Sequence, residues 1–133
     1  MLLAIAKAVL LVVALFFLVL GLLALARPSA AKRFLLGFAT SASKHYVELA
    51  LRLLAGGAML AAAPHSAQAM GLTVFGWLLI GTTLVMALVP WRTHRQFAQA
   101  SVPQALRFLP MIGVSSFVLS GWLLWSVFIA SAA

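Results

Sequence analysis

The chain has no cysteine, one carboxylate side chain and few charges of any kind. Without cysteine there is neither a disulfide framework nor a thiolate metal site. Glu48 is the sole acid, and His45, His65 and His94 are scattered, so no metal-ligand spacing is present either. Charged residues make up 8% of the 133 positions and hydrophobic ones 65%, with a mean hydropathy of +1.18. Soluble domains run at roughly half apolar and a quarter charged. Such a shortage of polar surface excludes a water-soluble globule of 14.1 kDa. The composition is that of an integral membrane protein.

The net charge of +8 raises nucleic acid as a partner. The cations, however, sit in short runs beside apolar spans, without the aromatic interleaving on which single strands stack. They read as topology signals and as an attraction for anionic lipid, and no nucleic-acid partner is expected.

A membrane helix needs about 20 predominantly apolar residues. Residues 8–26, AVLLVVALFFLVLGLLALA, supply the first span. The ALA before Arg27 permits a cleaved-signal reading. The run is longer than a signal core, though, its n-region carries only Lys7, and basic residues follow it, which favours a retained helix. Residues 72–89 form the third span, stopped by Pro90; residues 108–130 form the fourth, where Pro110 is tolerated in the first turn. The second span is constrained by length. Begun after Arg52, it keeps only residues 53–63 before Pro64, about 16 Å at 1.5 Å per residue, against a hydrocarbon core of about 30 Å. It must begin near Tyr46, which draws Glu48 and Arg52 toward the membrane. The expected fold is therefore all-α: a polytopic membrane protein with four transmembrane helices as two tandem hairpins. They make one domain over residues 1–133, with hairpin repeats at about 8–63 and 72–130.

Charge gives the orientation. Arg27, Lys32, Arg33, Lys44, Arg52, Arg92, Arg95 and Arg107 share one side, Lys7 lies on the other, and the turn PHSAQAMG (64–71) has no cation. The positive-inside rule places the two basic connections in the cytoplasm and both termini outside, as expected of a bacterial inner-membrane protein, and argues against dual topology. Trp91 falls at the inner boundary; Trp77, Trp122 and Trp125 fall toward the outer one. The connection SAAKRFLLGFATS sets Phe34, Leu35 and Phe38 against Lys32 and Arg33, and WRTHRQFAQAS sets Trp91 and Phe97 among Arg92, His94 and Arg95. Each is either a short interfacial helix or a solvated basic loop.

The halves are alike. LGLLALARPSAAKRF (20–34) parallels IGTTLVMALVPWRTHRQF (80–97), and LRLLAGGAML (51–60) parallels LRFLPMIGVSSFVLSG (106–121). A tandem duplication of one hairpin, with both copies in parallel orientation, accounts for the pattern. The second half also resembles the small two-helix inner-membrane proteins of the YjeT-like family. The likeness rests on Gly81, the Pro90-Trp91-Arg92 turn, VPQALRF (102–108), Gly113 and Gly121; the first half matches through Gly21, Pro28, Leu51-Arg52 and Gly56. It implies helical hairpins and brings no activity and no catalytic residues.

Glu48 and Arg52, spaced i,i+4 with the acid first, share a helix face in the favourable order. Either charge at the centre of a membrane helix costs about 2.5–3.5 kcal/mol. Pairing offsets part of that, as does snorkelling near a helix end, and a negative charge in the first turns suits the helix dipole. The structural reading is a self-compensated pair; the functional ones are a proton or cation site, or an anchor for a partner's charge. A built-in Arg neighbour argues against a carrier. His45 and His94 can approach each other at the inner boundary, but neither lies within a span, so no haem or other cofactor is expected. Thr82, Thr83, Ser115, Ser116 and Ser120 read as packing and back-bonding residues. Gly56 and Gly57, with Gly113, Ser116 and Ser120, form small-residue faces for close helix approach inside the bundle or toward another subunit.

No nucleophile–base–orienter set is visible, so no enzyme is expected. The leading expectation is an accessory or scaffold subunit of a larger membrane assembly, contacting other membrane subunits or itself. One alternative is an oligomeric small-molecule or ion transporter using Glu48. The other is an anionic-lipid-binding organiser acting through Lys32, Arg33, Lys44, Arg92, Arg95 and Arg107.

Overall fold

The structure, a computed structural model, describes residues 1–37 and 40–129. Phe38, expected beside Lys32 and Arg33, and Ala130, expected to close the fourth span, lie outside the described residues. No strand occurs among the described residues.

Helix α1 runs Leu2–Ala26, an Ala/Leu/Val sequence with no proline. It stops at Arg27, whose backbone (φ −139°, ψ 71°) has left the helical region that a following proline disfavours, and Pro28 then opens α2, Pro28–Gly37, at the position where its missing N–H is harmless. Helix α3, Ala42–Ala62, starts earlier than Tyr46, because the Ser41 hydroxyl caps it by accepting from the Lys44 N–H at 3.3 Å. A 3-10 turn, Ala63–His65, leads into α4, Ala69–Leu88. Pro90 ends that helix, and α5 follows as Trp91–Ala105. Pro103 and Pro110 each remove an N–H from the next stretch, and between them the chain tightens to a 3-10 turn, Leu106–Phe108, before α6, Leu109–Leu124. A π-helical turn, Trp125–Ile129, extends α6. The connections expected as loops or interfacial helices are thus the helices α2 and α5.

Four stretches are long and apolar enough to cross a membrane: Leu2–Ala26, Ala42–His65, Ala69–Leu88, and Trp91–Ile129, whose apolar part is α6 with its π turn. Large apolar side chains cover the outside of the bundle, Val12, Val19, Leu51, Trp77, Val85 and Val118 among them. In water such a continuous surface would drive aggregation; against lipid it is the expected exterior.

The tightest helix pairs are α1 with α6 and α3 with α4, while α1 touches α3 more lightly. Helices α4 and α6 meet near the Ser66 turn, where the Phe75 and Trp122 rings lie 5.2 Å apart. The fifteen residues of α5, roughly 22 Å at 1.5 Å per residue, lead from α4 toward α6. The core is correspondingly one of small residues and leucines: Ala6, Leu10, Ala14, Ala58, Met59, Ala62, Leu72, Leu123 and Val127. A second apolar cluster, Ala24, Ala31 and Leu109, ties the α1–α2 corner to the start of α6. Helix α2 turns back along α1 far enough to set Phe34 5.8 Å from the Phe16 ring.

Two crossings set how near the helices come. A Cβ built on Gly21 would lie 3.0 Å from the Gly113 carbonyl oxygen, and one on Gly56 would lie 3.0 Å from that of Gly76. Backbones this close need glycine on the facing surface, as small-residue seams in membranes do. Ser120, buried beside the first seam, donates its hydroxyl to the Ala14 carbonyl at 2.8 Å. At the other end of the bundle Ser66 donates to the Ser126 carbonyl at 2.6 Å and accepts from the Gln68 N–H, joining the α3–α4 turn to the π turn.

Candidate functional site

The polar side chains converge at the end of the bundle that carries α2 and α5. Glu48 sits one turn before Arg52 on α3, and the nearest carboxylate oxygen, Oε1, is 3.6 Å from Arg52 Nη1. Its other oxygen, Oε2, is 3.7 Å from His94 Nε2 on α5, an ion pair whenever that imidazole is protonated. Both members of the Glu48–Arg52 pair are about one quarter exposed, with side-chain accessibilities of 24% and 30%. A charge at that exposure is partly screened, so the contact fixes geometry more than it stabilises.

Arg52 has further partners. Its Nε donates to Thr83 Oγ1 at 3.1 Å and its Nη2 to Thr82 Oγ1 at 2.9 Å, both across the α3–α4 seam. A threonine hydroxyl carries one proton and two lone pairs. Thr82 spends its proton on the Leu78 carbonyl at 2.8 Å, and Thr83 on the Leu79 carbonyl at 2.5 Å. Both hydroxyls are therefore oriented as acceptors toward the guanidinium. Back-bonding, expected of these threonines, is what prepares them for Arg52. The guanidinium thus has a carboxylate on one edge and two hydroxyls on another, a fork that a lysine ammonium would not match.

His45, fully buried, lies one turn before Glu48, and its ring centroid is 4.7 Å from that of His94. Its Nδ1 makes no hydrogen bond among the described residues. The structure thus brings together the two histidines at the end of the bundle that carries α2 and α5 and adds Glu48 between them and Arg52. Among the described residues no group of three His, Asp or Glu side chains is arranged to hold a metal ion.

The remaining expected site residues divide clearly. Lys32, Arg33, Lys44, Arg92, Arg95 and Arg107 are exposed at this same end of the bundle, and the Arg92 guanidinium sits 5.9 Å from the Trp91 ring centroid. Gly56, Gly113, Ser116 and Ser120 are buried in seams, whereas Gly57 is exposed, with open space where a Cβ would go. His65 is exposed at the far end and joins nothing in the cluster. Sequence reasoning missed Thr82 and Thr83 as ligands of Arg52, and His94 as the second partner of Glu48. The one available signal was the unusual adjacency of two threonines in an otherwise apolar stretch, opposite an apolar helix that carries an arginine.

No family model, curated protein or solved structure matches the chain.

Proposed function

We propose that this chain is a non-catalytic accessory or scaffold subunit of a membrane protein assembly, and that α4 offers the surface on which a partner's membrane helix docks. The observation that carries the reading is the uncovered face of α4 around Gly81. An open apolar strip runs along this helix, formed by Thr73, Trp77, Gly81 and Val85 on one row and Val74, Leu78, Thr82 and Met86 on the next. A Cβ at Gly81 would meet nothing within 4 Å, whereas at Gly21, Gly56, Gly76 and Gly113 it would meet the facing helix. Apolar exposure alone means little in lipid. A glycine between Trp77 and Val85 makes a hollow, however, on the least covered of the four spans, with 17% of its apolar stretch buried. That is the shape a second helix fills by close packing.

The closed polar cluster supports the same reading, because both oxygens of Glu48 are engaged by Arg52 and His94, which disfavours Glu48 as a carrier site. In this reading the membrane is the bacterial inner one, with both termini outside and α2 and α5 in the cytoplasm. The cross-pairing of α1 with α6 and of α4 with α3 is the arrangement expected of two copies of one hairpin packed about a shared axis, in keeping with a tandem repeat.

The test is the native mass of the full chain, extracted gently from its own membranes, beside the Gly81→Leu variant. The wild type should migrate within a larger assembly of defined composition and the variant as the free chain. Replacing an exposed mid-helix glycine should by itself leave the fold intact or stabilise it by roughly 0.5–1 kcal/mol, so loss of the assembly would be attributable to the face. A Gly81→Leu chain that stays in the assembly sinks the α4 assignment. A wild type that runs as a homogeneous self-oligomer moves the weight to transport.

A further inference from the structure

We infer that the groove between the α1–α2 corner and the α5–α6 corner binds the headgroup of an anionic phospholipid, with its phosphate held between Lys32 and Arg107. The groove, about 300 Å³, is lined by Ser29 and Lys32 from the first turns of α2 and by Pro103, Leu106, Arg107 and Leu109 from the opposite corner. It therefore combines two cations and a hydroxyl with an apolar wall.

The charge balance leaves Lys32 and Arg107 without a side-chain carboxylate of their own. Glu48 is the only side-chain carboxylate in the chain, and it is engaged by Arg52 and His94. The two Leu-Arg steps, Leu51-Arg52 and Leu106-Arg107, show the contrast directly. One turn before Arg52 stands Glu48, the internal counterion; one turn before Arg107 stands Pro103, which has no charge and lines the groove. Arg107 is thus the counterpart that lacks its carboxylate. With Lys32 facing the same groove, the local charge is complementary to a phosphodiester, which guanidinium and ammonium groups bind by charge-assisted hydrogen bonds.

The apolar wall selects among phosphates. Leu109 belongs to the buried cluster with Ala24 and Ala31, against which Leu106 packs, so the groove leads from its cations onto the apolar start of α6. A free phosphate gains nothing from Leu106 and Leu109. A phospholipid places its headgroup at the cations and its first methylenes on the leucines. The corners are also stiff, since Pro28 fixes the first residue of α2 and Pro103 sits in the last turn of α5. The cations are mounted on restrained backbone, which lowers the ordering cost of binding.

The experiment uses the full chain in nanodiscs of phosphatidylcholine with a minor fraction of phosphatidylglycerol, and reads retained lipid by native mass spectrometry. The Lys32→Gln/Arg107→Gln double variant should retain phosphatidylglycerol less well by about tenfold per cation removed, the worth of a charge-assisted hydrogen bond. Lys44→Gln/Arg95→Gln removes the same charge away from the groove and should lose less than about threefold. Ser29→Trp, at an exposed position, fills the groove with every charge kept and should also abolish retention. An equal loss in the two charge doubles, or undiminished retention in Ser29→Trp, overturns the site. Displacement of the lipid by millimolar inorganic phosphate would assign the groove to a free anion and overturn the phospholipid assignment.

Discussion

Arg52 Nη2 and Thr82 Oγ1 meet at 2.9 Å across the α3–α4 seam, so the arginine of the Glu48–Arg52 pair is tied to the next helix as well as to its own. An i,i+4 pair alone would only lessen the burden of a charge near the membrane. A guanidinium shared between Glu48, Thr82 and Thr83 also sets the height at which α3 and α4 lie against each other.

Thr83→Val should therefore destabilise the α3–α4 pairing more than Thr82→Val does, because Thr83 is 1% exposed and Thr82 is open to the surroundings. A hydrogen bond from a charged donor contributes about 1.5–3 kcal/mol in water-soluble proteins, but interhelical bonds in membranes average about 0.6 kcal/mol. The lower figure should apply to Thr82 and a value between the two to Thr83. The check is a double-mutant cycle with Arg52→Met, read by reversible unfolding in lipid micelles. If the threonine substitutions cost the same with and without Arg52, the two residues are not coupled.

His94 links α5 to α3. Its Nε2 faces Glu48, its ring lies against His45, and few other side chains of α5 are covered, Ala98 being the buried one. His94→Ala should release α5 from α3 while leaving the four spans in place. Limited trypsin digestion offers a direct readout, since Arg92 and Arg95 lie on this helix. Cleavage there should speed up several-fold in His94→Ala and also in Glu48→Gln, with little change in Lys44→Gln. An unchanged cleavage rate in both variants would mean that α5 is held by something other than this contact.

The glycines separate two kinds of position that composition treats alike. Adding a side chain at Gly21 runs into the Gly113 carbonyl at 3.0 Å, a backbone atom that cannot move without shifting α6. Gly21→Val should cost roughly 1–3 kcal/mol, the usual range for overpacking. Gly57→Ala, with open space around it, should be neutral or stabilise by about 0.5–1 kcal/mol through the helix preference for alanine. Thermal unfolding in detergent distinguishes the two, and a tolerated Gly21→Val would show that the α1–α6 crossing is looser than drawn.

That contrast also explains what was legible in the sequence. Within lipid a spanning backbone must be a helix or part of a closed barrel, and apolar runs of this length suit only the helix, so span lengths followed from the apolar runs and from the shortness of 53–63. The Glu48–Arg52 pair followed from local spacing. The core did not, because in lipid both the buried and the outward faces are apolar: Leu10 is 1% exposed and its neighbour Leu11 38%, with nothing in residue type to tell them apart. Gly56 and Gly57 pose the same problem, one in a seam and the other open. The Thr82, Thr83 and His94 contacts join residues at least thirty positions apart, and no helical period reports a pairing between elements.

Orientation is the last quantity that charge predicts and that a labelling experiment can read without ambiguity, because the chain contains no native cysteine. Ala67, in the turn between α3 and α4, and Gln96, on α5, are both exposed and lie at opposite ends of the bundle. With Lys7 as the only cation on the Ala67 side, the positive-inside rule places Ala67 outside and Gln96 in the cytoplasm. A membrane-impermeant maleimide should then label Ala67→Cys in intact cells and Gln96→Cys only after permeabilisation. Labelling of both in intact cells would indicate insertion in two orientations, which so uneven a charge distribution disfavours. Labelling of Gln96→Cys alone would put α2, α5 and the Lys32–Arg107 groove on the outer face. The anionic lipid of the cytoplasmic leaflet would then be out of reach, and the basic end would need an extracytoplasmic partner.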